Sequence, residues 1–102
     1  MSAPKRSVSL TRKAQADFAG IMAYTIEHWG AHQRDSYAEK LLAGFDTIAR
    51  YPEIGTDRSD ITPGVFSHPV EQHVVYYRVT ATRLRVLRLR HARADTIRRG
   101  EL

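Results

Sequence analysis

Val74-Val-Tyr-Tyr-Arg-Val79 decides the fold. Both alternating sets of positions are apolar, so both faces of this strand must be covered by protein, the mark of a central strand. Downstream, Thr80-Ala-Thr82 reads as a turn and Leu84 to Leu89 as the last strand. There Leu84 and Val86 share one face while Leu87 and Leu89 share the other, and this phase change predicts a β-bulge or partial cover on both faces. Upstream, Val65-Phe66-Ser67 forms a strand that ends before a turn at Pro69, and the Pro- and Gly-bearing stretch from Pro52 to Gly64 is a loop. Val8-Ser-Leu10 is a strand too short to stand unless it joins that sheet. Between them lie two helices. The first is capped by Thr11, carries Phe18, Ile21, Met22, Thr25 and Trp29 as one stripe, and ends in a left-handed residue at Gly30. The second begins near His32 and presents Tyr37, Leu41, Phe45 and Ile48 on one face, with Arg34, Glu39 and Lys40 outside it, until Pro52 stops it. Two antiparallel helices need a further layer to cover their apolar stripes. The expected architecture is α+β in the order βααβββ, a helical hairpin packed on a small, mostly antiparallel sheet, with residues 1–102 forming one domain.

Composition narrows the function. The 102 residues are 42% hydrophobic and 26% charged, the balance of a folded domain, and too short for a two-domain enzyme. No apolar run is long enough to span a bilayer, and Met1-Ser-Ala-Pro-Lys-Arg lacks the stretch a secretory signal needs. Absence of cysteine removes disulfides, zinc–thiolate sites and thiol catalysis. A cytoplasmic protein without membrane contact is expected. The net charge is +5, yet Arg78 to Arg99 hold eight arginines and one acid, Asp95, so the rest of the chain is slightly acidic. That concentration suggests an anionic partner, and arginine favours planar, bidentate contacts.

Most motifs that suggest chemistry fail on inspection. His28 and His32 stand four apart, but Gly30 between them ends a helix and nothing completes a metal set. Ser67 and His68 are adjacent, so they cannot meet as nucleophile and base along a strand, and there is no Gly-x-Ser-x-Gly or Gly-rich phosphate loop. No cofactor and no metal are expected. Tyr24 and Trp29 read as packing at the hairpin turn and not as a platform for bases. Arg83, Arg85, Arg88 and Arg90 fit two readings: a binding surface, or the charged outer face of an edge strand that resists edge-to-edge pairing. A bulge at Val86-Leu87 would divide them between faces. His91 fits a ring that caps the sheet by bonding a backbone group, a partner contact, or an acid in catalysis.

Leu10-Thr11, Ala14…Asp17-Phe18…Ile21…Tyr24 and Trp29-Gly30 resemble the opening of ParE-type toxins of the RelE/ParE superfamily. Tyr51-Pro-Glu-Ile-Gly55 with Arg58…Asp60-Ile61…Gly64 is similar to the linker of that group. His73-Val-Val-Tyr-Tyr-Arg78 and Val86-Leu87…His91-Ala-Arg-Ala-Asp95 are similar to its last two strands. The resemblance implies a type II toxin that binds DNA gyrase and is silenced by a ParD-like antitoxin in a hetero-oligomer. Direct nucleic-acid binding is not expected, and a DNA-binding or regulatory module that sets the basic strand against phosphate is a third reading. On that footing the candidate partner-binding residues are Arg83, Arg85, Arg88, Arg90, His91, Arg93, Arg98 and Arg99. The antitoxin is expected on apolar grooves beside the hairpin.

RelE-like members of the superfamily instead cleave messenger RNA on the ribosome. Such cleavage needs a base for the 2′-hydroxyl, a cation for the phosphate and an acid for the leaving oxygen. The ribonuclease branch supplies a lysine- and arginine-rich set with tyrosine, or a glutamate–arginine–histidine set. His91 matches the acid of the second set, but the position of its arginine holds His73, and no lysine follows Lys40. Only Arg78 or Arg90, turned into the same cleft as His91, would complete the alternative catalytic set. The expectation is therefore a toxin without catalytic residues.

Overall fold

The computed structural model describes residues 5–102; Met1 to Pro4 of the amino terminus lie outside them. Strand β1 (Ser7–Leu10) leads into helix α1 (Arg12–Trp29), which turns directly into α2 (Ala31–Arg50). Four strands follow: β2 (Thr56–Asp57), β3 (Phe66–Val70), β4 (His73–Val79) and β5 (Arg83–His91). The sheet order is β1-β5-β4-β3-β2, with β1 parallel to β5 and the other pairs antiparallel. This is the α+β hairpin-on-sheet architecture read from the sequence, with one further short strand.

Capping chemistry sets the helix bounds. Thr11 Oγ1 accepts from the Ala14 N–H at 3.0 Å and donates to the Leu87 carbonyl at 2.8 Å. One hydroxyl thus starts α1 and ties it to β5. Gly30 ends α1 and starts α2, but with φ 89° and ψ 171° it is not the left-handed helical residue expected. Its N–H closes α1 on Ile26, while its carbonyl accepts from Arg34, so the chain reverses over a single residue.

The bulge lies where the phase change put it. Tyr76 pairs with Arg88 and Tyr77 with Val86, leaving Leu87 as the extra residue. Its effect corrects the expected faces: Leu89 returns to the side of Leu84 and Val86, and Leu87 alone stays opposite. Leu41, Phe45 and Ile48 of α2 with Ala14 of α1 cover Val75, Tyr77, Leu84, Val86 and Leu89. A second cluster on the outer face gathers Val65, Tyr76 and Ile97 with Ile61, Val74, Leu87 and Leu102. The segment after β5 therefore folds back over the sheet, and this is why β4 is apolar on both sides.

Two further expectations change. Strand β3 runs through Pro69, and the reversal comes at Glu71, whose φ is 55°. Proline is tolerated because β2 pairs only with Phe66 and Ser67, so no strand lies beyond Pro69 to receive an N–H. The stretch from Pro52 to Gly64, expected as loop, contains a 3₁₀ turn at Pro52–Ile54 and the two-residue β2.

Candidate functional site

A groove of about 840 Å³ opens between α1, the mouth of the hairpin and the last residues of β5. Its origin is topological. Strand β1 leaves the sheet at Leu10, opposite Val86, so the rest of β5 has a strand only on its β4 side and α1 runs along the other edge. Asp17 closes the exposed edge: its carboxylate accepts from the Leu89 N–H at 3.0 Å and holds Arg88 through two bonds of 2.7 and 3.0 Å. Arg88 also donates to the Glu101 carbonyl. The Asp17 bonds raise the affinity of the Arg88 guanidinium for its proton.

At the floor of the groove, His73 and His91 face each other across β4 and β5, with ring centres 5.3 Å apart and an edge-to-face angle of 78°. Tyr37 Oη accepts from the Gln72 N–H at 3.1 Å and lies 2.6 Å from His73 Nδ1. Burial pushes the His73 pKa below its ordinary value, and the neighbouring His91 lowers it further. Burial likewise raises the Tyr37 phenol. His91 Nδ1 accepts the Arg93 N–H at 3.1 Å, the backbone bond of a sheet-capping ring. The rim is formed by Tyr24 and Trp29, which are 59% and 69% exposed. Their exposure corrects the expectation of packing at the turn: one residue suffices to reverse the chain, so no space forms between the helix ends to take an indole.

Among the described residues, Asp17 is the only charged one lining the groove, and no lysine or arginine reaches it. Arg78 and Arg90, the two candidates to complete a catalytic set, alternate onto the other face of the sheet. Arg78 donates to the Pro63 carbonyl at 2.9 Å, and Arg90 pairs with Glu101. Glu101 is held below the ordinary carboxylate range by the Arg98 N–H and then by Arg90. The structure thus does not bring Arg78 or Arg90 to His91.

The arginine run divides in two. Arg88 and Arg90 are neutralised by Asp17 and Glu101, whereas no carboxylate among the described residues pairs with Arg78, Arg83 or Arg85. Arg93, Arg98 and Arg99 lie exposed after β5. The edge-strand reading is corrected for Arg83 and Arg85, because β5 pairs there with β1 on one side and β4 on the other.

Comparison with known proteins bears on all of this. The family model described as "ParE toxin of type II toxin-antitoxin system, parDE" matches residues 8–96. The chain belongs to the ParE toxin family. Toxin ParE1 of Caulobacter vibrioides is 34% identical over 82 residues, covering 80% of this chain and 84% of the relative. Toxin ParE of Escherichia coli is 36% identical over 67 residues, covering 66% and 65%. In structure, a chain of a chromosomal ParDE system from P. aeruginosa superposes with a TM-score of 0.71 at 21% identity, covering 85% of this chain and 96% of that one. The RelBE2 toxin–antitoxin complex of Mycobacterium tuberculosis contains a chain with a TM-score of 0.64 at 20% identity, covering 86% and 99%. These two likenesses concern the fold. They place ParE-type and RelE-type chains on one scaffold, so function must be argued from side chains.

Three features of this ParE-family chain escaped sequence reasoning. Tyr37 was read as core, yet its hydroxyl ties α2 to the β3–β4 turn and to His73. Asp17 was read only as part of a motif, and its bond to a strand 72 positions away has no local signal. Ile97 is 1% exposed, and a lone apolar residue among arginines is the only hint of its anchoring role.

Proposed function

We propose that this ParE-family chain acts in the cytoplasm as a toxin that inhibits DNA gyrase by binding it, without chemistry of its own, and that a ParD-like antitoxin silences it. The observation that carries this reading is that no lysine or arginine lines the groove among the described residues. A phosphodiester broken at His91 would develop negative charge that a preorganised cation must meet. His73 cannot supply it, since its environment favours the neutral ring. Arg88 is bound to Asp17, and Arg78 and Arg90 are on the far face.

The same groove suits a partner segment. Its exposed aromatic rim and half-buried Ile21 give apolar anchors beside polar groups at His73, His91 and Gln33, the mixture that seats a folding-on-binding helix or strand. The antitoxin takes this side, and gyrase contacts the arginine-bearing side of β5 and the segment after it. The test is DNA supercoiling by purified gyrase, titrated with this chain. Inhibition that saturates near equimolar toxin and is reversed by the cognate antitoxin is expected. Supercoiling unaffected at any ratio overturns the proposal.

A further inference from the structure

We propose that Arg78, Arg83 and Arg85 form a surface that grips the phosphate backbone of duplex DNA without reading its sequence. Arg78 and Arg85 are direct cross-strand partners, and Arg83 follows two positions along β5 on the same face. Like charges placed opposite each other in a sheet oppose pairing. Here no carboxylate among the described residues relieves them. Edge protection does not account for them either, since β5 is interior at these positions.

The guanidinium groups are oriented by neutral acceptors. Arg78 Nη1 donates to the Pro63 carbonyl at 2.9 Å, and Arg85 Nη1 donates to Ser9 Oγ at 3.1 Å. Each bond fixes direction while leaving the full charge and the remaining donors free. All three side chains are exposed. The contrast with Arg88 and Arg90, each neutralised by a carboxylate, shows that the same strand separates structural arginines from available ones.

The surroundings select the ligand. In the β1–β5 register Ser7 and Ser9 stand beside Arg83 and Arg85. The apolar residues of this face, Val65, Tyr76, Val74 and Leu87, are clustered with Ile97 and Leu102 of the folded-back segment. An acidic polypeptide would find charge there but no apolar pocket to anchor it. Single-stranded nucleic acid would find the aromatic ring of this face, Tyr76, buried and closed to stacking. Duplex phosphate needs neither, because its binding comes from charge and counterion release. This departs from the expectation of protein partners alone, and it does not rest on the gyrase reading: a chain that left supercoiling untouched is still expected to bind duplex DNA through this face.

The test is fluorescence anisotropy of the full chain with a labelled duplex of scrambled sequence, over a series of salt concentrations. Three phosphate contacts predict a log–log slope of about −2.7, or roughly a 40-fold loss of affinity for a fourfold rise in salt. Each single change among Arg78→Gln, Arg83→Gln and Arg85→Gln is expected to reduce the slope by about 0.9, and the triple change to abolish it. The charge-matched control is Arg34→Gln, Lys40→Gln and Arg50→Gln together on α2, which is expected to keep the slope. Equal losses in both triple variants would show only the effect of net charge and overturn the proposal. So would failure to bind duplex, or poly-glutamate binding more tightly than duplex. Circular dichroism of each variant confirms that the fold is kept.

Discussion

Gly20 and Gly44 both sit inside helices, and the structure predicts opposite consequences for replacing them with alanine. In an exposed helix interior glycine is about 1 kcal/mol worse than alanine. A Cβ at Gly20 meets nothing within 4 Å, so Gly20→Ala should recover that whole amount, raising the melting temperature by about 4–8 °C for a domain near this size. A Cβ at Gly44 falls 2.3 Å from Val70 Cγ1 and 2.8 Å from Cγ2. Val70 is 8% exposed and β-branched, so it has little freedom to swing away. Overpacking costs about 1–3 kcal/mol and outweighs the propensity gain, for a net loss of up to about 2 kcal/mol. In the Val70→Ala background both clashing methyls are gone and only the Cβ of residue 70 stays close, at 3.1 Å, so most of the cost of Gly44→Ala should disappear. Urea denaturation of the four glycine and valine variants gives the coupling directly. Stabilisation by Gly44→Ala in the native background, or the same cost with and without Val70, would refute the close approach of α2 to β3. Because Gly20 is not demanded by the fold and lines the groove, Gly20→Leu is expected to fold and to lose neutralisation by the antitoxin.

Asp17→Ala should cost roughly 2 kcal/mol or more in chemical denaturation, since it strands a largely buried guanidinium and the Leu89 N–H together, whereas Asp46→Ala, which loses only solvent-facing ion pairs to Lys5 and Arg50, should cost clearly less. Ile97→Ala removes three carbons from a fully buried site and should cost about 2–3 kcal/mol, with hydrogen exchange rising first in the segment after β5; unchanged protection there would show that Ile97 is no anchor. His73 binds its proton less tightly when folded than its ordinary 6.5, so the unfolded chain takes up more protons as acid is added. The stability it contributes is complete above about pH 7.5 and lost as pH falls through 6.5 toward the lowered folded value. His73→Gln should flatten that part of the stability–pH curve, and a melting series in pH reads it.

The fold was legible because its main signals are local. Thr11 as cap, the step of three and four along α1 and α2, Pro52 as stop and the doubly apolar β4 each act within a few residues, and each stands where the sequence put it. The bulge was visible as a break in alternation at Val86-Leu87, but the contact that accompanies it, Thr11 Oγ1 donating to the Leu87 carbonyl, joins residues 76 positions apart. The site was less legible, because its contacts are long-range. Asp17 with Arg88, Tyr37 with His73 and Arg90 with Glu101 join residues from different elements, and no spacing rule reports which face a charged side chain turns to. Trp29 was misread for a related reason: a helical stripe says which residues share a side, not where the partner layer ends.

The proposed toxin acts by occupying a partner and breaks no nucleotide bond. Mapping of 5′ ends on a translated message after induction, with native chain and His91→Ala in parallel, tests it most directly. The expected result is growth arrest with the same 5′ ends in both strains and none arising inside codons. New ends within codons that vanish with His91→Ala would contradict it.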